Sequence, residues 1–173
     1  MVHLGDCGAA GEAVIKALLG AALLVGCAAV FGQPGASPKE KAAAIETATQ
    51  LHQKAKQYSN AGNHEAALPL LEQALALVEQ ASGAAHPDTA SALESLSETY
   101  LQLSQPDKAL RTRSRALDIY DKYPALEGSS INSAEVLAGI YFSLAQYDKV
   151  LELLPRILAF MEKVFGAEDL RMV

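Results

Sequence analysis

The sequence predicts an all-α fold of stacked antiparallel helix pairs, and two observations lead to this prediction. Half of the 173 residues are apolar, only 6% are aromatic and Trp is absent. This composition, rich in Ala and Leu, favours helices that pack closely through small side chains. The second observation is an internal repeat, because residues 60–68, 102–110 and 143–151 align at offsets of 42 and 41 residues. A helical chain with such a period is expected to stack its repeats.

Each repeat unit is predicted to hold two amphipathic helices. A tyrosine stands at the same place before each aligned segment, at Tyr58, Tyr100 and Tyr141. Around these tyrosines the apolar residues recur at helical spacing, so they share one face of a first helix. The second helices carry a similar apolar face. The first-helix faces hold Leu51, Ala55 and Tyr58, then Leu93, Leu96 and Tyr100, then Ala134, Leu137, Ala138 and Tyr141.

These repeats resemble the tetratricopeptide-repeat (TPR) family, and their length of about 42 residues is similar to the kinesin-light-chain-like subgroup. Members of that subgroup join their units by a Gly followed by a His-Pro-Asp element, and this chain has Gly83 and His86-Pro87-Asp88 after the first unit. The second linker, residues 124–130, lacks the His-Pro element. The resemblance implies a right-handed superhelical solenoid of three helix pairs plus the start of a fourth. It covers residues 38–173, with repeats at about 48–81, 90–123 and 131–164.

The same resemblance implies a protein–protein interaction module or adaptor that holds a peptide or protein segment in a concave groove. The first helix of each unit lines that groove in the family. The carboxylates among the matching positions would repel a terminal carboxylate, so we expect a partner with basic and apolar residues. A solvated face without a ligand is the alternative for these charges. The matching positions are Thr49, His52, Lys56, Ser59, Ser91, Glu94, Glu98, Leu101, Asn132, Glu135, Gly139 and Phe142.

Residues 1–27 are predicted to form a leader, and residues 28–37 a flexible linker. The stretch 17–31 has no charged residue and follows Lys16. It is shorter than the roughly 20 residues that span a bilayer, and it matches the apolar region of a signal peptide. Residues 24–27, Leu-Val-Gly-Cys, resemble the lipobox of bacterial lipoproteins. The resemblance implies lipidation of Cys27 and a periplasm-facing location in the cell envelope.

Other interpretations of the leader stay open. It also fits an uncleaved membrane anchor or an apolar helix buried in the fold, and the latter would leave the protein in the cytoplasm. The segment before Lys16 is long and contains Asp6 and Glu12, whereas the start of a signal peptide is short and positive. We therefore hypothesise that translation begins at Val14.

Composition and motifs exclude several other functions. The formal net charge of −6 argues against nucleic acid as the partner, because phosphate binding requires a basic surface. The sequence has no Gly-rich phosphate loop, no His-Glu-x-x-His helix and no nucleophile elbow, so we expect neither an enzyme nor a cofactor. Its four histidines are scattered, and no metal site is expected. Both cysteines, Cys7 and Cys27, precede the repeats, so no disulfide is expected to hold the fold together.

Three functional hypotheses follow from the sequence. The first is an adaptor held in the cell envelope by a lipid anchor. The second is a soluble cytosolic regulator that senses a peptide. The third is a truncated paralogue without independent function, because residues 168–173 begin a fourth unit and then stop.

Overall fold

The structure is a computed structural model that describes residues 37–166. This part of the chain is helical, with six α-helices and no strand. The leader, including Cys27, and the predicted start of a fourth unit lie outside the described residues. The helices are α1 (Pro38–Asn60), α2 (His64–Ser82), α3 (Pro87–Gln102), α4 (Pro106–Tyr120), α5 (Glu127–Ser143) and α6 (Tyr147–Phe165), with a short 3-10 helix at Pro124–Leu126 before α5.

The helix starts follow from local sequence. At α1, the Ser37 hydroxyl accepts a hydrogen bond from the Glu40 N–H, and the Glu40 carboxylate accepts one from the Ser37 N–H, at 3.3 and 2.7 Å. This reciprocal pair satisfies two backbone donors that have no partner inside the helix. The Asn63 side chain starts α2 by accepting from the Ala66 N–H at 3.1 Å. Pro87 occupies the first turn of α3, where its missing N–H is not needed.

The turn inside each helix pair has the same geometry in all three units. One residue adopts a positive φ, namely Gly62 at 75°, Ser104 at 55° and Ala145 at 55°. The residue after it donates its N–H to the carbonyl of the repeated tyrosine, over 2.9, 2.8 and 2.9 Å. This bond satisfies a carbonyl at the end of the first helix. The left-handed conformation strains Ser104 and Ala145, which carry a Cβ, but not glycine.

The core lies where successive helices cross, and each helix packs chiefly against its neighbours in the chain. Alanines at these crossings have no solvent exposure, as at Ala55, Ala67 and Ala109. Ser97 is equally buried, and its hydroxyl donates to the Ala109 carbonyl at 3.2 Å. Small side chains at these positions allow close approach of the backbones. The predicted fold class, a solenoid of antiparallel helix pairs, is thereby confirmed.

Candidate protein-binding groove

A groove separates α1 from α3, the first helices of units one and two. It consists of two cavities of about 440 and 500 Å³, and both are lined by His52 and Lys56 of α1. Leu71, Ala74 and Val78 of α2 form its apolar floor. We call this feature the α1–α3 groove.

Of the residues that the sequence predicted to line a binding groove, half lie in the α1–α3 groove. Residues three or four apart on a helix share a face, so the unit-one positions point together towards α3. Two unit-two positions face them from α3. The six residues are Thr49, His52, Lys56, Ser59, Ser91 and Glu98.

The two walls of the groove differ in charge. The α1 wall carries Lys56, and the α3 wall carries Glu98 and Asp88. No ion pair between residues 37–166 holds Lys56 or Glu98. Asp88 lies 3.2 Å from the His86 ring nitrogen and 3.4 Å from the Ser82 hydroxyl. Among the residues that the structure describes, Lys56 and Glu98 are therefore groove charges without an internal ion pair.

Glu94, which the sequence placed among the groove residues, makes several contacts inside the fold. Its carboxylate accepts hydrogen bonds from Arg113 at 2.7 Å, Tyr120 at 3.0 Å and Ser133 at 2.9 Å. These donors belong to α4 and α5, so the carboxylate joins three helices. Burial and the nearby Glu94 charge raise the pKa of Tyr120 above its usual value. With three internal donors, Glu94 has little capacity left for a ligand; its contact with a partner stays a prediction.

The remaining predicted residues lie away from the α1–α3 groove. Leu101 packs against the core cluster that includes Tyr100. Asn132, Glu135 and Gly139 are exposed on α5. Phe142 is also exposed, and its ring meets the Tyr147 ring edge-on with 5.5 Å between centroids. A role for these side chains in binding a partner stays a prediction.

The structure adds lining residues that sequence reasoning missed. Asn60 and Gln102 end α1 and α3 at equivalent repeat positions, and both lie in the groove together with His64 at the start of α2. The repeat alignment itself pairs residue 60 with residue 102 and could have indicated them. The Nδ1 atom of His64 is buried and has no hydrogen-bond partner among the described residues. Residues 37–166 contain no cluster of His, Cys, Asp or Glu able to hold a metal ion.

Residues 46–122 match the tetratricopeptide-repeat family. The fold resembles crystal structures of a Podosopora anserina kinesin-light-chain-type protein with nearly identical TPR-like repeats, with a TM-score of 0.57 for that protein and 0.58 for a variant of it. Each comparison has 25% identity and covers 66% of this chain and 55% of the other, so this chain spans about half of that protein's length. No curated protein matched the chain.

The family match and the similar structures indicate a general class of function but no particular partner. Tetratricopeptide repeats typically bind other proteins, and the match over residues 46–122 indicates a protein–protein interaction module in this part of the chain. Proteins of this fold are typically scaffolds without enzymatic activity. Within residues 37–166, none of the helices is both long and apolar enough to cross a bilayer.

Proposed function

We propose that this protein is an adaptor that binds a peptide or protein segment in the α1–α3 groove and is tethered in the cell envelope through Cys27. The observation that carries the groove proposal is the set of four α1 residues, Thr49, His52, Lys56 and Ser59, that face α3 across an open cleft. Lys56 and Glu98 on opposite walls have no ion-pair partner among the described residues. Charged groups left in this state can bind a partner without first breaking an internal contact.

The groove suits an extended segment of basic and apolar residues. Its α1 wall runs from Ile45 to Asn60, which corresponds to about 22 Å at the helical rise, and an extended chain covers that length with roughly seven residues. The floor of Leu71, Ala74 and Val78 would contact apolar side chains. Glu98 would accept charge-assisted hydrogen bonds from a Lys or Arg of the partner. Lys56 would bind carbonyl oxygens on the opposite side of the segment.

A charge reversal tests the groove. The probe is a fluorescent seven-residue peptide of alternating Lys and Leu, and the readout is its anisotropy on titration with the full chain. Loss of a charge-assisted hydrogen bond is worth about 1.5–3 kcal/mol, so Glu98→Lys should weaken binding by roughly ten-fold or more.

The matched control is Asp118→Lys, which makes the same change of charge at an exposed position of α4. Asp118 lies outside the groove, so this variant should bind like the wild type. Equal weakening by both variants would mean that the peptide responds only to the net charge of −6, and the groove proposal would fail.

The envelope tether is proposed from the leader sequence, in which the uncharged stretch 17–31 contains the lipobox-like residues 24–27. Intact-mass spectrometry of the protein from the membrane fraction of its own host tests this directly. A chain that begins at Cys27 and carries added lipid mass supports the tether. An unprocessed soluble chain refutes it and favours a cytosolic regulator that senses a peptide through the same groove.

A further inference from the structure

The two cavities of the α1–α3 groove differ in the chemistry of their linings. The larger, of about 500 Å³, is bordered by apolar side chains from three helices, and we call it the apolar cavity. The smaller, of about 440 Å³, is lined by polar side chains apart from Leu71, and we call it the polar cavity. His52 and Lys56 border both, so the two cavities adjoin along α1. The apolar lining consists of Ile45, Ala48, Ala74, Val78 and Ala92.

The α3 wall of the polar cavity presents hydrogen-bond acceptors. Ser95, Glu98 and Thr99 line this wall, and their spacing of three and four residues places them on one face of α3. The Ser95 hydroxyl donates to the Ser91 carbonyl at 3.3 Å, and the Thr99 hydroxyl donates to the Ser95 carbonyl at 3.0 Å. A hydroxyl has one hydrogen and two acceptor lone pairs, so both oxygens are left as acceptors. The Glu98 carboxylate, which has no ion-pair partner within residues 37–166, adds two more.

An arginine side chain matches this row of acceptors better than a lysine does. A guanidinium holds five N–H donors in a planar fork, whereas an ammonium is a compact point charge with three. One guanidinium can therefore donate to the Glu98 carboxylate and to a neighbouring hydroxyl oxygen at the same time. Lys56 borders the cavity from α1, where it remains able to bind main-chain carbonyls of the same segment.

The apolar cavity suits one large apolar side chain. Three of its lining residues are alanines, Ala48, Ala74 and Ala92, and these small side chains leave room for a bulky group. Ile45, which also lines it, is 40% exposed, so a side chain bound here would remove apolar surface of this protein from water. A phenylalanine would bury about 150–250 Å² of its own surface in such a site.

The separation of the two cavities sets the spacing of the two side chains in the partner. On α3, the apolar cavity is bordered by residues 88–92 and the polar cavity by residues 95–102. At the helical rise, Ala92 and Glu98 are about 9 Å apart along the axis, and the centres of the two stretches are about 13 Å apart. An extended chain covers these distances with roughly three or four residues.

Building on the proposed function of this groove, we propose that its partner is an extended segment with an arginine and a large apolar residue three or four positions apart. The arginine binds Glu98 in the polar cavity, and the apolar residue, such as phenylalanine, fills the apolar cavity beside Ile45. The proposal thus adds a sequence pattern to the general preference for basic and apolar residues.

The segments of this chain outside residues 37–166 match the pattern poorly. Residues 1–36 contain no arginine, and the residues three and four positions before Arg171 are Glu168 and Ala167. If the chain is cleaved before Cys27, residues 28–36 offer no cation of either kind. A segment of another protein is therefore favoured as the occupant of the two cavities.

A peptide series tests the spacing. Each fluorescent peptide has nine residues, all Ser or Ala except for a single Phe and a single Arg, whose positions differ by one, three, four or seven in either sequence order. The readout is anisotropy on titration with the full chain. Peptides with a difference of three or four should bind roughly ten-fold tighter than the others, because only they place both side chains in their cavities.

Substitutions in each cavity identify which side chain it binds. Glu98→Gln should weaken the best peptide roughly ten-fold, but it should not affect a peptide with Gln in place of Arg. Ile45→Ala should weaken the best peptide roughly five-fold, but it should not affect a peptide with Ala in place of Phe. Ile45 and Glu98 are both exposed, so neither variant should unfold the protein. Leu151→Ala, at a 63% exposed site on α6, is the control and should change no titration.

Three results would overturn the proposal. Equal affinity at every spacing, with binding still lost in Glu98→Lys, would refute the two-cavity pattern and leave the groove as the binding site. Binding that also ignores Glu98→Lys would refute the groove itself. The leader has Lys16 and Leu19 three positions apart, so tighter peptide binding by the Lys16→Gln chain would assign the cavities to the protein's own leader.

Discussion

Replacing the partly buried Glu94 by alanine should destabilise the fold more than replacing the exposed Glu98 of the same helix. The carboxylate is the shared acceptor for Arg113, Tyr120 and Ser133, so its removal leaves three donors of α4 and α5 without a partner. Arg113 is only 5% exposed, and its guanidinium cannot reach bulk water. An uncompensated buried charge is the expected cause of the destabilisation.

The size of the expected destabilisation by Glu94→Ala depends on how deeply the ion pair is buried. Breaking a buried ion pair by removing one partner costs about 3–5 kcal/mol. The Glu94 side chain is 24% exposed, so water enters the vacated space and lowers this figure. We expect a loss of roughly 2–4 kcal/mol in the free energy of unfolding. Glu98→Ala, one helical turn further along α3 and exposed, is the matched control and should change stability by less than about 0.5 kcal/mol.

A double variant tests whether the buried charge of Arg113 causes the destabilisation. Arg113 stands where the other units have Leu71 and Leu154, so Arg113→Leu restores the apolar residue of the repeat. The double variant removes the uncompensated buried charge, although the Tyr120 and Ser133 hydroxyls still lack their acceptor. Glu94→Ala/Arg113→Leu should therefore recover at least about 1 kcal/mol of the stability that Glu94→Ala loses. Urea unfolding followed by circular dichroism measures the wild type, the single variants Glu94→Ala and Arg113→Leu, the double variant and the Glu98→Ala control. A double variant as unstable as the sum of the single variants would refute the role of the buried charge.

Four further predictions concern pH, strain and packing. The hydrogen bonds from Arg156 depress the pKa of Asp121 below its ordinary 3.8. The Asp121–Arg156 pair therefore stabilises the fold at neutral pH, and this stabilisation is lost as the pH falls below that value. Asp121→Asn should reduce the acid-induced fall of the urea midpoint when the midpoint is plotted against pH. Burial and the nearby carboxylate raise the pKa of Tyr120 above its ordinary 10.0, so stability should fall as the pH rises past that value, and Tyr120→Phe should reduce the fall in the same assay. Ala145→Gly should raise the free energy of unfolding by about 0.5 kcal/mol or more because Ala145 has a φ of 55°. Ser97→Leu, at a fully buried helix crossing, should lower it by about 1–3 kcal/mol. Urea midpoints check both variants, and an unchanged stability of Ser97→Leu would contradict the close helix contact.

The helices could be predicted from the sequence because their information is local. Helical spacing around Tyr58, Tyr100 and Tyr141 identifies the packed faces, and the repeat alignment identifies the turns between helices. The groove positions implied by the family resemblance include Thr49 and His52, which lie together on the α1 wall because the direction in which they point depends on helix periodicity. Periodicity therefore predicts a residue's position around its helix well.

The surroundings of a side chain could not be predicted in the same way. Glu94 lies on the predicted face of α3, yet Arg113, Tyr120 and Ser133 approach its carboxylate from two other helices. Arg113 interrupts the apolar repeat, and nothing in its local sequence indicates the Glu94 carboxylate that it meets. Nor could the exposure of Leu151 and Leu158 on α6 be predicted, because these leucines follow the same helical spacing as buried residues. Which surface is covered depends on tertiary contacts rather than on spacing.

The most direct test of the central claim is a hydrogen-exchange footprint of the full chain with and without the bound basic and apolar peptide. If the α1–α3 groove is the binding site, amides should gain protection in residues 45–60 and 88–102, which supply its two walls. Protection confined to α4 and α6, with α1 and α3 unchanged, would contradict the account and move the peptide site to another face of the solenoid.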